Sequence, residues 1–423
     1  MKLLWISNAP WMPSGYGSQT RQVGRRIAAS GTDIEFVAND GTRGDREWEG
    51  HLVRGSGYDK YTRDTVREDL TRSGADWVIS LYDQWVYTEG ISDPFAGLPN
   101  VAGWVPVDHW PVPMSLYPWL QNGHTAIAMS RFGQEWLTKL RDAWRGDGQP
   151  TFPIRYAPHA VDDVFVPTES DFRQRIGVPH DAFLVGIVAA NYGSGIYDRK
   201  GMSDMAGALG MFLDQYPDAY VYVHSIAEGA GMMHLPTLFA FNGIERVRFA
   251  DQYAMKKQSV TDAEMAGMYT AFDVLLATSR GEGFGIPVIE AQACGTPVIA
   301  SNFSAQPELL RDEPWSIDDI GSKRTPSGWL VAVDFDYDQR QGGCNWGKPF
   351  IAQIAGALKE AYDRKGDPNL RDAALAKAAQ YRADVVFDTY WRPILAEMEQ
   401  SLDKRPRAIR RAEKRQKAKT CAR

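Results

Sequence analysis

The chain has 423 residues and a formal net charge of −6, with 44% hydrophobic and 24% charged residues. It is about three times the length of an ordinary domain, so two or more domains are expected, and its composition excludes a disordered or fibrous protein. Three scattered cysteines (Cys294, Cys344, Cys421) exclude a disulfide framework or a zinc site, no run of about 18 apolar residues offers a membrane span, and a cytoplasmic setting is expected.

The opening MKLLWISNAPW has one Lys and a short apolar run before Asn8 and Pro10, so it reads as a first strand (2–7) rather than a signal peptide. A loop bearing Gly15 and Gly17 follows, then a helical pattern through Val23, Ile27 and Ala28 that Gly31 ends. Strand, glycine loop and helix open a Rossmann-like half, although Gly15-x-Gly17 lacks the third glycine of a dinucleotide fingerprint. Segments 34–38, 77–81 and 101–107 are further strands. The last ends in Asp108-His109-Trp110, and α/β folds place functional groups where a parallel strand ends. Trp11, Trp85, Trp104, Trp110 and Tyr117 form either an aromatic acceptor wall or, more ordinarily, core. Strand 125–130 leads into a helix over 134–140, and Pro158, Pro167 and Pro179 place a hinge within roughly 158–182.

A continuous apolar strand of the buried parallel type (183–189) opens a second α/β half. Its following loop carries Asn191, then Arg199, Lys200 and Gly201. Strands at 220–224 and 247–250 and a helix at 262–272 lead to the richest stretch, 275–301, which reads strand, glycine loop, helix, turn, strand. Pro287 suits the first turn of that helix and Gly295 the residue just past it, so the helix covers about 287–294. Its N-terminus points at the loop 281–285, where free N–H groups favour an anion or a polarised oxygen and Gly283 and Gly285 admit close approach. Glu282 and Glu290 frame this spot; carboxylates repel phosphate there and instead suit the paired hydroxyls of a sugar or a ribose. Asp334-Phe335-Asp336 mimics a metal-binding D-x-D but sits in a Tyr/Asp/Gly loop and is assigned no metal. Helices at 351–362, 371–382 and 385–402 complete the folded chain. The tail from Lys404 to Arg423 holds ten basic residues and one acid, against 37 basic and 52 acidic residues before it. It is either a solvated, partly helical tail or a contact for a polyanion or membrane surface.

The run Glu282-Gly-Phe-Gly-Ile-Pro-Val-Ile-Glu290, with Ala293-Cys294-Gly295-Thr296-Pro297-Val298, resembles the E-x7-E signature of retaining GT-B glycosyltransferases of the family-4 group. The resemblance covers the second half and the hinge well and the first half sparsely. It implies two Rossmann-like domains facing across a cleft: an acceptor domain (1–165), a donor domain (166–384), a crossover helix returning to the first domain (385–402) and the tail (403–423). By position it implies that Glu282 contacts the donor sugar, Glu290 the ribose, and Lys200 with Arg199 the diphosphate. Gly283, Phe284 and Gly285 belong to the donor loop, Gly15 and Gly17 to a phosphate-facing loop, and His109 to the vicinity of the sugar. The family's early Arg is replaced by Asn191, and the loop 251–255 falls where the family lodges the nucleobase. The implied activity is transfer of a hexose from a nucleotide-diphosphate sugar to an acceptor hydroxyl, with retention and with neither metal nor cofactor. A protein, lipid, glycan or modified nucleic acid are all open as acceptor. The alternative is a non-catalytic or epimerase-type GT-B protein that binds nucleotide sugar without transferring it.

Overall fold

The computed structural model describes residues 1–87, 93–191, 198–313, 316, 318–339 and 343–403; the basic tail lies outside them. The chain forms two compact units. The first comprises Met1–Val107, Pro111–Ala160 and the chain from Ala383 on; the second comprises Asp108–Trp110 and Val161–Arg382.

The first unit is built on β1 (Lys2–Ser7), β2 (Asp33–Ala38), β3 (Arg46–Trp48), β4 (His51–Arg54), β5 (Trp77–Leu81), β6 (Val101–Val105), β7 (Thr125–Ala128) and β8 (Ile154–Tyr156), ordered β3-β4-β2-β1-β5-β6-β7-β8. Every pairing is parallel except β3 with β4. Leu3, Leu4, Val78, Ile79, Ala102 and Ile127 are fully buried, as parallel strands covered on both faces require. The β3–β4 edge hairpin turns on Glu49-Gly50, both with positive φ (52° and 81°). A two-residue turn of that kind usually shows Asn or Asp at its first position, so Glu49 gives the sequence no hairpin signal.

The helix after β1 runs from Gly15–Gln19 through a π-helical turn, Thr20–Gly24, to Arg25–Ala29. The final helical run, Ala383–Val386, Phe387–Trp391 and Arg392–Asp403, belongs to the same unit. Its Trp391 packs 5.5 Å from Trp5 and 4.9 Å from Trp104, and the Trp77 indole donates to the Met398 carbonyl at 3.1 Å. Trp104 is thus core, not part of an acceptor wall: its other neighbour is His159 at 4.4 Å, buried enough that its pKa falls to about 3. Trp85 packs on Tyr61, Tyr117 on Trp144, and Trp11 under Arg46.

The second unit carries β9 (Phe183–Val188), β10 (Ala219–His224), β11 (Val247–Phe249), β12 (Val274–Ala277), β13 (Val298–Ser301), β14 (Lys323–Thr325) and β15 (Gly328–Val331), ordered β11-β10-β9-β12-β13-β15-β14. Strand order reverses between β9 and β12, the switch point of a Rossmann-type sheet. Val185, Ile187, Leu276 and Ile299 meet Met205, Leu209 and Phe212 of the helix Met202–Gln215 in its core. Two expected loops are regular structure. Residues 251–255 belong to the helix Gln252–Lys257 and its cap, because the Asp251 carboxylate accepts from the N–H groups of Tyr253 and Ala254. Asp334 and Asp336 lie on β16 (Val333–Asp338), paired antiparallel with β17 (Cys344–Pro349). Among the described residues no helix is long and apolar enough to cross a membrane.

Because Trp5, Trp104 and Trp391 bury one another, Trp391→Ala is expected to cost about 3–5 kcal/mol, read as a lower denaturant midpoint; an unchanged midpoint would show that the last helix does not support the first unit.

Candidate functional site

The loops that leave the carboxyl ends of β9 and β12 meet at the switch point, where open α/β sheets bind ligands. The loop after β9 brings Arg199 and Lys200, the loop after β12 brings Glu282, and Asp108 joins them. Lys200 Nζ lies 2.6 Å from Glu282 Oε1. Arg199 lies 3.4 Å from Glu282 Oε2 and 3.5 Å from Asp108 Oδ2, and it donates to the Gly281 carbonyl at 2.9 Å. The side chains keep 16% (Lys200), 14% (Glu282), 30% (Arg199) and 10% (Asp108) of their exposure. Two cations and two carboxylates therefore face one another in a nearly closed, charge-balanced cluster.

Burial alone would push the Glu282 carboxyl up, but the charges of Lys200 and Arg199, with hydrogen bonds from Lys200 and Ser279, hold it down at about 2. Lys200 moves down from its ordinary value because burial and the like charge of Arg199 outweigh its attraction to Glu282. Glu282 is thus a carboxylate that accepts hydrogen bonds, and the Lys200 ammonium carries a desolvation cost that an incoming anion would reduce.

Several neighbours hold the loop in place. The Glu282 N–H donates to Ser304 Oγ at 2.9 Å. Gly281 is needed for close approach: a Cβ there would fall 2.2 Å from the Asp108 carbonyl oxygen and 2.7 Å from the Trp346 ring. Trp346 in turn stacks edge-on to buried His109 at 4.8 Å, and Trp110 pairs with Asn345 on β17. Arg280 grips Asp204 through two nitrogens at 2.9 and 2.8 Å, lies 3.4 Å from Asp336, and donates its own N–H to the Arg199 carbonyl. Asp336 therefore faces a guanidinium. Arg280 adjoins the glutamate loop in sequence, and no sequence signal distinguishes Asp204 or Trp346.

Two helices begin at this spot, and they differ. Asp198 fills the start of Met202–Gln215, accepting from the N–H groups of Met202 (2.9 Å) and Ser203 (2.6 Å). The helix Ile286–Ala293 follows Gly285, whose φ of 111° demands glycine, and it has no side-chain cap. Pro287 carries no N–H and the Val288 N–H donates to the Gly285 carbonyl at 3.0 Å, so what this helix offers the site is the positive end of its dipole. Glu290, on this helix, accepts from the buried Tyr269 hydroxyl at 2.9 Å. Burial and the Glu290 charge push that phenol far up, which keeps it a donor.

Other candidates are placed differently. The Phe284 side chain is buried against Tyr381 at 5.7 Å, so only its backbone remains for a ligand. Gly17 serves its own loop: its N–H donates to Ser14 Oγ, and a Cβ would fall 2.3 Å from the Met12 carbonyl oxygen, while Gly15 stands exposed at the helix start. Asn191 donates to the carbonyls of Ile226 (2.9 Å) and Met233 (2.8 Å), tying down segment 226–233. Its replacement of a family cation is thus a structural tether. The rest of that loop, 192–197, lies outside the described residues.

Residues 192–334, which hold both glutamates and both cations, match the family described as Glycosyl transferases group 1. The chain is similar to a D-inositol 3-phosphate glycosyltransferase of Corynebacterium jeikeium (strain K411), at 27% identity over 275 residues, or 56% of this chain and 61% of that relative. It thus spans about three fifths of that relative's length. In fold it is similar to sucrose-phosphate synthase from Thermosynechococcus elongatus (TM-score 0.67, 17% identity, 94% of this chain and 100% of the other). A second similar fold is HepE of Anabaena, solved in complex with UDP-glucose (TM-score 0.63, 15% identity, 96% and 100%).

The depressed Glu282 pKa makes the cluster acid-sensitive. A group whose folded value lies below its unfolded one contributes stability above the unfolded value, near 4.5, and loses it as pH falls through about 2. Glu282→Gln should therefore flatten the fall of stability across that window in acid denaturation; an equally steep limb would mean that the pair carries no linkage.

Proposed function

Taking the chain as one of the GT-B, group 1 type of glycosyl transferase, we propose that it moves a hexose from a nucleotide-diphosphate sugar to an acceptor hydroxyl, with retention of configuration and without a metal. The observation that carries this reading is the cluster of Lys200, Arg199 and Glu282 beside the uncapped start of Ile286–Ala293. Cleaving the glycosidic bond leaves negative charge on the departing diphosphate, and fixed cations and the positive end of a helix dipole in a nearly closed site stabilise it.

Glu282 and Asp108 neutralise these cations. An arriving diphosphate takes over Lys200 and Arg199, and the Glu282 oxygens become acceptors for sugar hydroxyls. A carboxyl with a pKa of about 2 does not donate a proton at neutral pH, so Glu282 orients the sugar and does not act as a general acid. The acceptor hydroxyl attacks from the leaving-group face and passes its proton to the departing diphosphate; no protein nucleophile takes part. Glu290, steadied by Tyr269, binds the ribose diol. UDP-glucose, seen with HepE, is the first donor to try, and the name of the curated relative puts a phosphorylated polyol first among acceptors.

Lys200→Ala is expected to lower kcat by about 10²–10³-fold, and Glu282→Ala to lower turnover as well. Glu290→Ala should instead raise the donor dissociation constant about tenfold or more, the loss of a hydrogen bond to a charged group, with a smaller effect on kcat. A donor-turnover assay run with and without EDTA tests all three. Wild-type turnover by Glu282→Ala sinks its role, loss of activity in EDTA sinks metal independence, and donor conversion without an acceptor favours the epimerase-type reading. A donor present at about 100 times its dissociation constant should add about 2.7 kcal/mol of stability; a melting temperature unmoved by every nucleotide sugar counts against donor binding itself.

A further inference from the structure

At the other end of the second sheet, where the chain enters β9, β12 and β13, a cleft of about 820 Å³ opens. This is within the size range of small-molecule sites. Its three acids are already committed. Asp273 accepts from Arg173 at 2.7 Å and from the Leu184 N–H at 2.7 Å. Asp367 takes Arg364 at 2.5 Å, and Asp171 takes Arg175 at 3.0 Å.

Two lining cations have no carboxylate partner among the described residues. Among the described residues Lys365 bonds only the backbone carbonyls of Asp181 and Ala182. The Arg371 guanidinium is exposed and has no hydrogen bond or ion pair among the described residues; its stem lies against Gly295. Phe272, Pro297 and Leu370 add apolar wall. In a chain of net charge −6, a cleft holding two uncompensated cations beside apolar surface selects a definite chemistry: an organic molecule bearing phosphate. Arginine's planar fork matches phosphate oxygens in pairs.

We propose that this cleft binds a small phosphorylated molecule, held by Arg371 and Lys365. The inference stands apart from glycosyl transfer, because none of these residues belongs to the cluster around Glu282.

The test uses inorganic pyrophosphate as probe and calorimetry of the full chain carrying Lys200→Ala, which removes a cation from the cluster around Glu282. That protein is expected to bind pyrophosphate, and adding Arg371→Ala or Lys365→Ala to weaken it about tenfold or more, as loss of a charge-assisted hydrogen bond does. Arg371→Lys, which keeps the charge and loses the fork, should fall between. No binding by the Lys200→Ala chain, or binding that neither further substitution alters, overturns the proposal. Both positions are exposed, so the substitutions leave the core intact.

Discussion

The ion pair between Lys200 and Glu282 is the constraint around which the second unit is arranged. It joins side chains 82 residues apart, and it exists because β9 and β12 are neighbours at the point where strand order reverses. Burying two charges is expensive, and removing only one partner leaves the other stranded, so the pair's worth lies in geometry rather than in stability. The surroundings express that priority. Gly281 gives up a side chain so that the Asp108 backbone can come close, Ser304 holds the Glu282 N–H, and Arg280 joins the cation loop to the helix Met202–Gln215 and the β16–β17 hairpin. A cation cluster balanced by its own carboxylates is also kept from collecting stray anions, since only a ligand that repays the exchange of partners displaces them.

The second sheet was largely legible in the sequence because its signals are local. Pro287 and Gly295 bracket a helix observed at Ile286–Ala293, and Gly295 has the positive φ (82°) its position demands. Continuous apolar runs marked β9, β12 and β13, since strands covered on both faces need no alternation. Glu282, Lys200 and Arg199 could be named in advance because the stretches that hold them resemble the family-4 pattern, and the structure brings them together.

What was not legible depends on distant partners. The tethering role of Asn191 needs the carbonyls of residues 226 and 233, which no local pattern announces. Arg280 gains meaning only when Asp204 and Asp336 arrive from elsewhere in the chain. Phe284, inside the motif, turned out to face Tyr381, because a residue type does not say which side of a loop it will occupy. The Asp334/Asp336 strand escaped notice for a related reason: acids are poor strand formers, and their pairing partner, β17, supplies the order. The β3–β4 hairpin was missed because Glu49 is an unusual residue for its turn. The aromatic wall failed because Trp104 is recruited to the core by Trp5 and Trp391, two residues nearly four hundred positions apart.

That last cluster bears on how the chain is made. Trp5 and Trp104 are synthesised before the second unit and Trp391 after it, so the tryptophan core of the first unit lacks that member until the second unit has been made. The second unit, closed by Arg382, has all its strands earlier. Domains generally fold in the order of synthesis, but here the amino-terminal unit must wait, with Trp5 and Trp104 incompletely covered, until its carboxyl-terminal helix arrives. The nascent chain thus carries an adhesive aromatic surface while the second unit is being made, an interval in which a chaperone would have something definite to hold.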